Sequence, residues 1–293
     1  MGRFIQGANG ADIAGGAPGS ISPSPINPFS GVFGTGRVDF IYNTATWTPP
    51  PGIKAVRVRV FGRGGNGNTI GNLHKGGGGG GFAMKVCAVT PGTGIAATVP
   101  TTETGTASFG AFCSATAGGD AGVLAGVGGT GVGGDINRRG GAGGDHSLAN
   151  WVSGGGGVGS LIGDGGKGGG VAGAGESAAS GGGGGCAHGD IAQSIRGGNG
   201  FSGMATQPTK VNMSPQVMLN GGNPVATTSL PLDLIGTGPG SFGGADSQFF
   251  GQDGFNGGGG GAWSSGGFPG GGAGGGAMAG TRKPGNAFLI IEY

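Results

Sequence analysis

Cys186 and His188 are the residues whose types and spacing come closest to catalytic chemistry. A thiol beside an imidazole can act as a nucleophile with its general base when a third group orients the imidazole. The sequence offers no such third group, so we interpret both as unconnected loop residues. His74 and His146 are interpreted as solvated side chains. Neither a GxSxG turn nor a GxxxxGK[ST] phosphate loop is present, and the sequence predicts no enzyme, no catalytic residue and no cofactor.

The segment GGAGGDHSL, residues 140–148, comes closest to a metal site, because it nearly matches the calcium-binding repeat GGxGxDxUx. Serine occupies the large apolar position of that repeat, and no tandem copy follows. We therefore interpret Asp145 as forming a local turn. Cys87, Cys113 and Cys186 are widely spaced and form no CxxC pair. The sequence thus predicts neither a metal site nor a disulfide framework.

Arg63, Arg139 and Arg196 are each followed by two glycines, as in RNA-binding RGG segments. Such segments are clustered and basic, whereas these sites lie far apart in a chain of formal net charge +2. We interpret them as solvated arginines beside turns and expect no nucleic-acid partner. No apolar run reaches the roughly 20 residues that span a membrane, and no signal-peptide pattern opens the sequence. The expectation is a soluble chain made in a cytoplasm, without membrane insertion.

Glycine supplies 85 of the 293 residues and proline another 16, and aperiodic chains this rich in both are normally disordered. Only 10% of the residues are charged, however, whereas disordered chains usually carry many charges and few apolar groups. The apolar residues also gather in short runs. These two features favour a folded chain.

Alternating apolar runs predict strands near both ends of the sequence. In AVRVRVFG, the valines at 56, 58 and 60 lie on one face of a half-buried strand, and Arg57 and Arg59 lie on the other. The remaining predicted strands are RVDFIYN (37–43), GGFAMKVCAVTPG (80–92), GIAATV (94–99), TASFGAFCSATAG (106–118) and NAFLIIEY (286–293).

The C-terminal strand would be an aggregation hazard as a free edge, and pairing with the strand near residue 60 removes that hazard. We therefore predict an all-β fold without significant α-helix. Residues 36–117 and 286–293 form a small antiparallel β-sandwich, jelly-roll-like in form. Residues 118–285 form a long glycine-rich insertion. Residues 1–35, with prolines at 23, 25 and 28, form an extended arm.

Glycine in the insertion predicts packed polyglycine-II helices, which have three residues per turn and no internal hydrogen bonds. Neighbouring helices can approach closely only where glycine recurs at the contacting edges. From 154 to 175 in steps of three the residues are Gly, Gly, Ser, Gly, Gly, Gly, Ala, Gly. The period breaks repeatedly, which excludes a collagen triple helix.

Residues 205–240 differ from the rest of the insertion, because they contain less glycine and more Val, Met, Leu and Pro. We predict a structured non-glycine loop. Its apolar side chains pack on their own subunit or contact another one, since exposed apolar clusters usually mark interfaces. These side chains are Val211, Met213, Val217, Met218, Leu219, Leu232 and Leu234.

The order of motifs along residues 46–293 resembles the glycine-rich domain of tailed-bacteriophage tail fibres and related virion appendages. The motifs are WTPPPGIKAVRVRVFGRGGNG, GGGGGGFAMKVCAVTPG, GTASFGAFCSATAGG, GGGGGCAHG, GGGGGAWSSGGFPGGGAGGG and the closing FLIIEY. The resemblance implies a non-enzymatic structural or host-contacting role, often in a homotrimer. Glycine-rich adhesins of some phages also pack polyglycine-II helices and present variable loops to a receptor.

The first functional hypothesis is a structural component of a bacteriophage virion, a tail fibre or related appendage, made in the host bacterial cytoplasm. The N-terminal arm would anchor it to other virion proteins through Pro23, Pro25, Ile26, Pro28 and Phe29. One alternative is a receptor-binding adhesin that contacts a bacterial surface receptor through residues 205–240, Trp151 and Trp263. Another is a capsid-surface fibre or decoration protein.

Overall fold

The computed structural model describes residues 33–70, 73–102, 104–145, 151–169, 187–188, 211–213, 216–218, 235, 257–260, 265–275 and 283–293. Across these residues the chain is all-β and contains no helix, so no helix there could cross a membrane. The strands are β1 (Val38–Ile41), β2 (Ala45–Trp47), β3 (Ala55–Phe61), β4 (Asn68–Ile70), β5 (Leu73–Lys75), β6 (Phe82–Ala88), β7 (Ile95–Thr98), β8 (Thr106–Phe109), β9 (Cys113–Thr116), β10 (Gly131–Val132), β11 (Ile136–Arg138), β12 (Trp151–Val152), β13 (Ala187–His188), β14 (Val211–Met213), β15 (Gln216–Met218) and β16 (Phe288–Glu292).

Two five-stranded antiparallel sheets pack as a sandwich. Sheet A has the order β1-β16-β3-β6-β11, and sheet B has the order β10-β9-β8-β7-β2. The C-terminal β16 pairs with β3, with Phe288 opposite Phe61 and Glu292 opposite Arg57. This is the pairing that the sequence predicts for the C-terminal strand. A third sheet, β14-β15-β13-β12-β5-β4, includes one parallel pair, between β12 and β5.

The sandwich interior combines branched side chains from sheet A with mostly small side chains and one phenylalanine from sheet B. Sheet A contributes Val56, Val58, Val60, Leu289 and Ile291, all fully buried. Sheet B contributes the fully buried Ala97, Ala107, Phe109 and Ala115. The branched side chains of one sheet thus pack against mostly small side chains of the other.

The outer face of sheet A is also buried, so the prediction that β3 is half-buried is wrong. Phe61, Phe82, Met84, Phe288 and Ile290 form a second apolar cluster on this face. Val158 and Leu161, from the glycine-rich region, pack on that cluster. A strand covered on both faces could not be anticipated from alternation alone, because the cover comes from residues about one hundred positions away in the sequence.

Arg57 and Arg59 share this buried outer face, and both pair with Glu292. The Arg57 Nε donates to Glu292 Oε1 at 3.0 Å, and the Nη2 of Arg57 pairs with Glu292 Oε2. The Nη2 of Arg59 lies 3.0 Å from Glu292 Oε1. All three side chains are at most 2% exposed. One buried carboxylate therefore pairs with two buried guanidinium groups.

Two differences from the predicted strands concern the segments that follow β7. Residues 106–118, predicted as one strand, form the β8–β9 hairpin, which turns where Gly110 adopts a φ of +50°. The second difference is that the glycine-rich region itself supplies strands to the sandwich. β10 joins sheet B beside β9, and β11 joins sheet A beside β6.

Cys87 and Cys113 are buried free thiols of the sandwich core. Desolvation by burial raises the pKa of Cys87 to about 11 and that of Cys113 to about 12. Both thiols are therefore protonated at neutral pH and pack as small apolar groups.

We predict that Glu292→Gln destabilises the protein by about 3–5 kcal/mol, because it removes the buried carboxylate that pairs with the guanidinium groups of Arg57 and Arg59. The matched control is Asp135→Asn at the partly exposed Lys85–Asp135 pair, whose charged atoms are 3.7 Å apart. That change should cost less than about 1 kcal/mol. Urea unfolding of both variants measures the difference, and equal losses would contradict the role assigned to Glu292.

Candidate functional site: a glycine lattice

Extended glycine-rich segments continue directly from the sandwich strands. Residues 62–67 follow β3, and residues 76–81 lead into β6. Residues 139–144 follow β11, and residues 283–286 lead towards β16. We call such segments rows, and the whole set of hydrogen-bonded rows the glycine lattice. Sandwich and lattice are therefore built from the same continuous chain segments.

Residues 76–81, an unbroken run of six glycines, form the central row. Its N–H groups bind neighbouring rows at intervals of three residues. Gly76 donates to the carbonyl of Gly144 at 3.2 Å, and Gly79 donates to that of Gly141 at 2.8 Å. At the same spacing, Gly77 donates to the carbonyl of Ala273 and Gly80 to that of Gly270. Gly78 donates to the carbonyl of Gly119 and Gly81 to that of Thr116.

The carbonyl groups of the central row accept hydrogen bonds from three further rows, again at intervals of three. Each of these rows supplies two N–H donors that are three residues apart. The donors are Gly62 and Gly65 in the first row, Gly126 and Gly129 in the second, and Gly156 and Gly159 in the third. The central row thus donates to three neighbours and accepts from three others. Every N–H and every C=O of residues 76–81 is paired, as buried backbone groups require.

The six neighbouring rows form a closed ring around the central row. In order around the ring they are residues 62–67, 116–119, 126–130, 139–144, 153–159 and 270–275. Each adjacent pair of rows is joined directly by at least one backbone hydrogen bond. With the N–H donor given first and the carbonyl acceptor second, these bonds are Gly118 to Arg63, Gly119 to Val127, Gly140 to Gly129, Gly141 to Gly157, Gly272 to Gly156 and Ala273 to Gly65.

Three outer rows cover most of the ring. Residues 163–169 bind the rows 139–144 and 153–159, and residues 257–260 bind 153–159 and 270–275. Residues 283–286 bind 270–275 and 62–67. Rows 116–119 and 126–130 have no outer row among the described residues.

The close approach of rows explains why the central run is glycine at all six positions. A Cβ added at any of residues 76–81 would lie closer than 3.0 Å to backbone atoms of a neighbouring row. Real Cβ atoms do not approach backbone atoms so closely, and the backbone here is held from all sides. The three-residue spacing predicted for glycine also recurs in row 153–159, where Gly154 and Gly157 donate to Gly169 and Gly166.

Side chains that could do chemistry are sparse in and around the lattice. The described residues contain no group of three or more His, Cys, Asp or Glu that could hold a metal ion. Asp145 pairs with the ammonium of Lys75 and makes an ion pair rather than only a local turn. The polar groups that the lattice brings together are therefore mainly backbone N–H and C=O groups.

Two predictions of solvated side chains are wrong. His74, on β5, is only 8% exposed because the third sheet and the lattice meet there. Arg63 is half-buried, and its Nε and Nη1 are buried without a hydrogen-bond partner in the described structure. Arg139 is exposed, as predicted.

The third sheet brings together several of the residues predicted to contact a partner. Trp151 belongs to β12, and Val211, Met213, Val217 and Met218 belong to β14 and β15. β12 and β15 both pair with β13, so these backbone segments are neighbours in one sheet.

The other predicted contacts lie outside the described residues. These are Leu219, Leu232, Leu234 and Trp263, together with the anchor residues Pro23, Pro25, Ile26, Pro28 and Phe29. Cys186, His146 and Arg196 also lie outside them.

Two exposed apolar surfaces were not identified from the sequence. Phe40, Tyr42 and Phe268 are 43–56% exposed and pack around the ring of Phe288, the first two stacked and Phe268 tilted. Val123, Leu124 and Val127 are 69–73% exposed at the rows without an outer cover. The alternation of Phe40 and Tyr42 in the sequence could have indicated the aromatic surface. Val123, Leu124 and Val127 are isolated apolar residues among glycines, and no sequence pattern indicated their surface.

Comparison with protein-family models found no match, and comparison with curated proteins found none either.

We predict that Gly79→Ala destabilises the protein by at least about 3 kcal/mol or prevents folding, because its Cβ would overlap the backbone of row 153–159. Gly122→Ala is the matched control, since an added Cβ there has nothing within 4 Å. That change should alter stability by no more than about 0.5 kcal/mol. Thermal unfolding and limited proteolysis measure both. A Gly79→Ala protein as stable as the control would contradict the close packing of the rows.

Proposed function

We propose that this chain is a non-enzymatic structural component of a bacteriophage virion, a tail fibre or related appendage. The observation that carries this function is the closed ring of six rows around residues 76–81. The motif order along residues 46–293 supports the phage assignment through its resemblance to tail-fibre glycine-rich domains.

We further propose that the rows are polyglycine-II helices. Hydrogen bonds that leave one row every third residue towards the same neighbour match a helix with three residues per turn. In the central row all of these bonds go to other rows, which also fits a helix without internal hydrogen bonds. The sandwich would then serve as the base from which the helices extend.

A lattice of this kind suits an extracellular appendage for a physical reason. Its rigidity comes from paired backbone groups, and folding it requires ordering almost no side chains. The buried rows 76–81 and 153–159 expose little for a protease to bind. Such a body can hold its shape outside the cell and carry loops at its ends.

The N-terminal arm is proposed to join the chain to other virion proteins. The arm reaches the sandwich at a fixed point, because Thr35 Oγ1 donates to the Tyr293 carbonyl at 2.7 Å and Arg37 pairs with Tyr293 through both backbone groups. Phe33 is 7% exposed, and its ring centroid lies 5.7 Å from the Arg57 guanidinium. We propose that the anchoring contact is made by residues that precede Phe33.

A receptor-binding adhesin is the second candidate function, and the position of the third sheet favours it. β5 immediately precedes row 76–81, and β12 immediately precedes row 153–159. Both rows run from these strands towards the sandwich, so the third sheet lies at the opposite end of the lattice. The end of an appendage that lies farthest from its base is where it would contact a bacterial surface receptor.

We predict that a phage whose copy of this chain lacks residues 1–32 assembles particles without the protein. The deletion keeps Phe33 and Thr35, so the sandwich should fold, and the free protein should melt like the full chain. Quantitative mass spectrometry of purified particles measures incorporation. Normal incorporation of the shortened chain would exclude the arm as anchor, and absence of the full chain from wild-type particles would exclude a virion role.

The same particles can separate the two candidate functions. Exchange of residues 205–240 for the equivalent loop of another phage should change host adsorption if the chain is an adhesin. Unchanged adsorption with normal incorporation would contradict the adhesin role, and the structural role would remain as the candidate function.

A further inference from the structure

Three exposed aromatic side chains border the buried outer face of sheet A. Phe40 is 44% exposed, Tyr42 56% and Phe268 43%. Their ring centroids lie 6.2, 5.6 and 4.9 Å from that of the buried Phe288. We call these three exposed residues the aromatic surface. It continues the apolar cluster of the outer face, so a segment that covers it would extend an existing core.

A tight turn at the start of the described chain sets the direction of the N-terminal arm. The N–H of Gly36 donates to the carbonyl of Phe33 at 3.0 Å, and Gly34 within the turn has a φ of +58°. Such a turn reverses the direction of the chain. After the turn, β1 runs antiparallel to β16, from the C-terminal end of β16 towards its N-terminal end. Traced backwards from Phe33, the chain therefore leads towards the same N-terminal end, where Phe288 lies.

Phe33 fixes the face of the sheet on which this path begins. Its ring centroid lies 5.7 Å from the guanidinium carbon of Arg57, a residue of the outer face of sheet A. A Cβ added at Gly34 would be 2.5 Å from the carbonyl carbon of Tyr293, so the turn crosses the end of β16. Phe33 thus lies on the outer face, level with Glu292, which is opposite Arg57 in the sheet.

The distance from Phe33 to the aromatic surface matches the spacing of apolar residues in the arm. Phe288 lies four residues from Glu292 along β16, which is about 13 Å in a strand. An extended proline-rich segment advances about 3.1 Å per residue, so about four to five residues before Phe33 cover this distance. Pro28 and Phe29 occupy those positions.

The composition of the arm also suits an aromatic surface. Residues 23–29 read PSPINPF and contain three prolines, an isoleucine and a phenylalanine. Proline-rich segments dock on aromatic rings at a low cost in entropy, because their backbone is already restricted to extended conformations. No charged residue occurs between Asp12 and Phe33. Docking of this segment therefore removes no charge from water.

We propose that residues 23–29 dock on the aromatic surface of their own chain, with Pro28 and Phe29 against Phe40 and Tyr42. The docking takes place within one free chain and does not depend on a virion role. Where the same residues anchor the chain to another virion protein, that contact must replace the docked one. The arm is then held back in the free chain and released on assembly.

Hydroxyl-radical footprinting of the full chain tests the docking, because it labels aromatic side chains according to their exposure. Phe29→Ser removes the largest side chain of the docked segment, and Phe4→Ser is the matched control on the same arm. In Phe29→Ser we expect labelling of Phe40 and Tyr42 to rise about twofold or more, because the arm no longer covers their rings. In Phe4→Ser it should match the wild type. Leu124, 69% exposed on another side of the molecule, should be labelled equally in all three proteins.

Dilution distinguishes this docking from the docking of a second copy. Protection of Phe40 and Tyr42 within one chain is independent of protein concentration. Protection that is lost on dilution would assign the aromatic surface to a second copy and overturn the proposal. Equal labelling of the wild type and the double variant Pro28→Gly, Phe29→Ser would also overturn it, since the double variant removes both proposed contacts.

Discussion

Backbone hydrogen bonds between glycine rows are the interaction on which the rest of the structure depends. Each bond contributes only about 1 kcal/mol net, but an unpaired buried amide costs more than a paired one gains. The lattice is therefore stable only if nearly all of its buried backbone N–H and C=O groups are paired at the same time. The absence of Cβ atoms at residues 76–81 is what brings six rows close enough for that pairing.

The sandwich and the lattice support each other through shared segments. β3, β6, β11 and β16 are each continuous with a row, so side-chain packing in the sheets fixes where each row begins. In return, the lattice positions Val158 and Leu161 on the outer face of sheet A. That cover buries the aromatic end of the β16–β3 pair, whereas at the other end Phe33 lies over the Arg57 guanidinium that pairs with Glu292. The two parts are thus expected to unfold together.

The sequence predicted the strands that follow from local alternation of apolar and polar residues. It did not predict features that depend on burial by residues far away in the sequence. β3, β6 and β16 follow from their apolar periodicity, and the β16–β3 pairing follows from the need to protect a C-terminal edge. The burial of Arg57 and Arg59 did not follow, because neither the covering rows nor Glu292 is near them in sequence. The exposed apolar surface at rows 116–119 and 126–130 was not predictable either. Val123, Leu124 and Val127 become a surface only when the rows on both sides of them are placed.

Hydrogen exchange at the amides of residues 76–81 tests the account most directly. Closed pairing around the central row predicts that these amides exchange only through global unfolding, as slowly as those of β3 in the same protein. Rapid exchange at residues 76–81, with β3 still protected, would show that water reaches the central row. The lattice would then not be the interaction that holds the chain together.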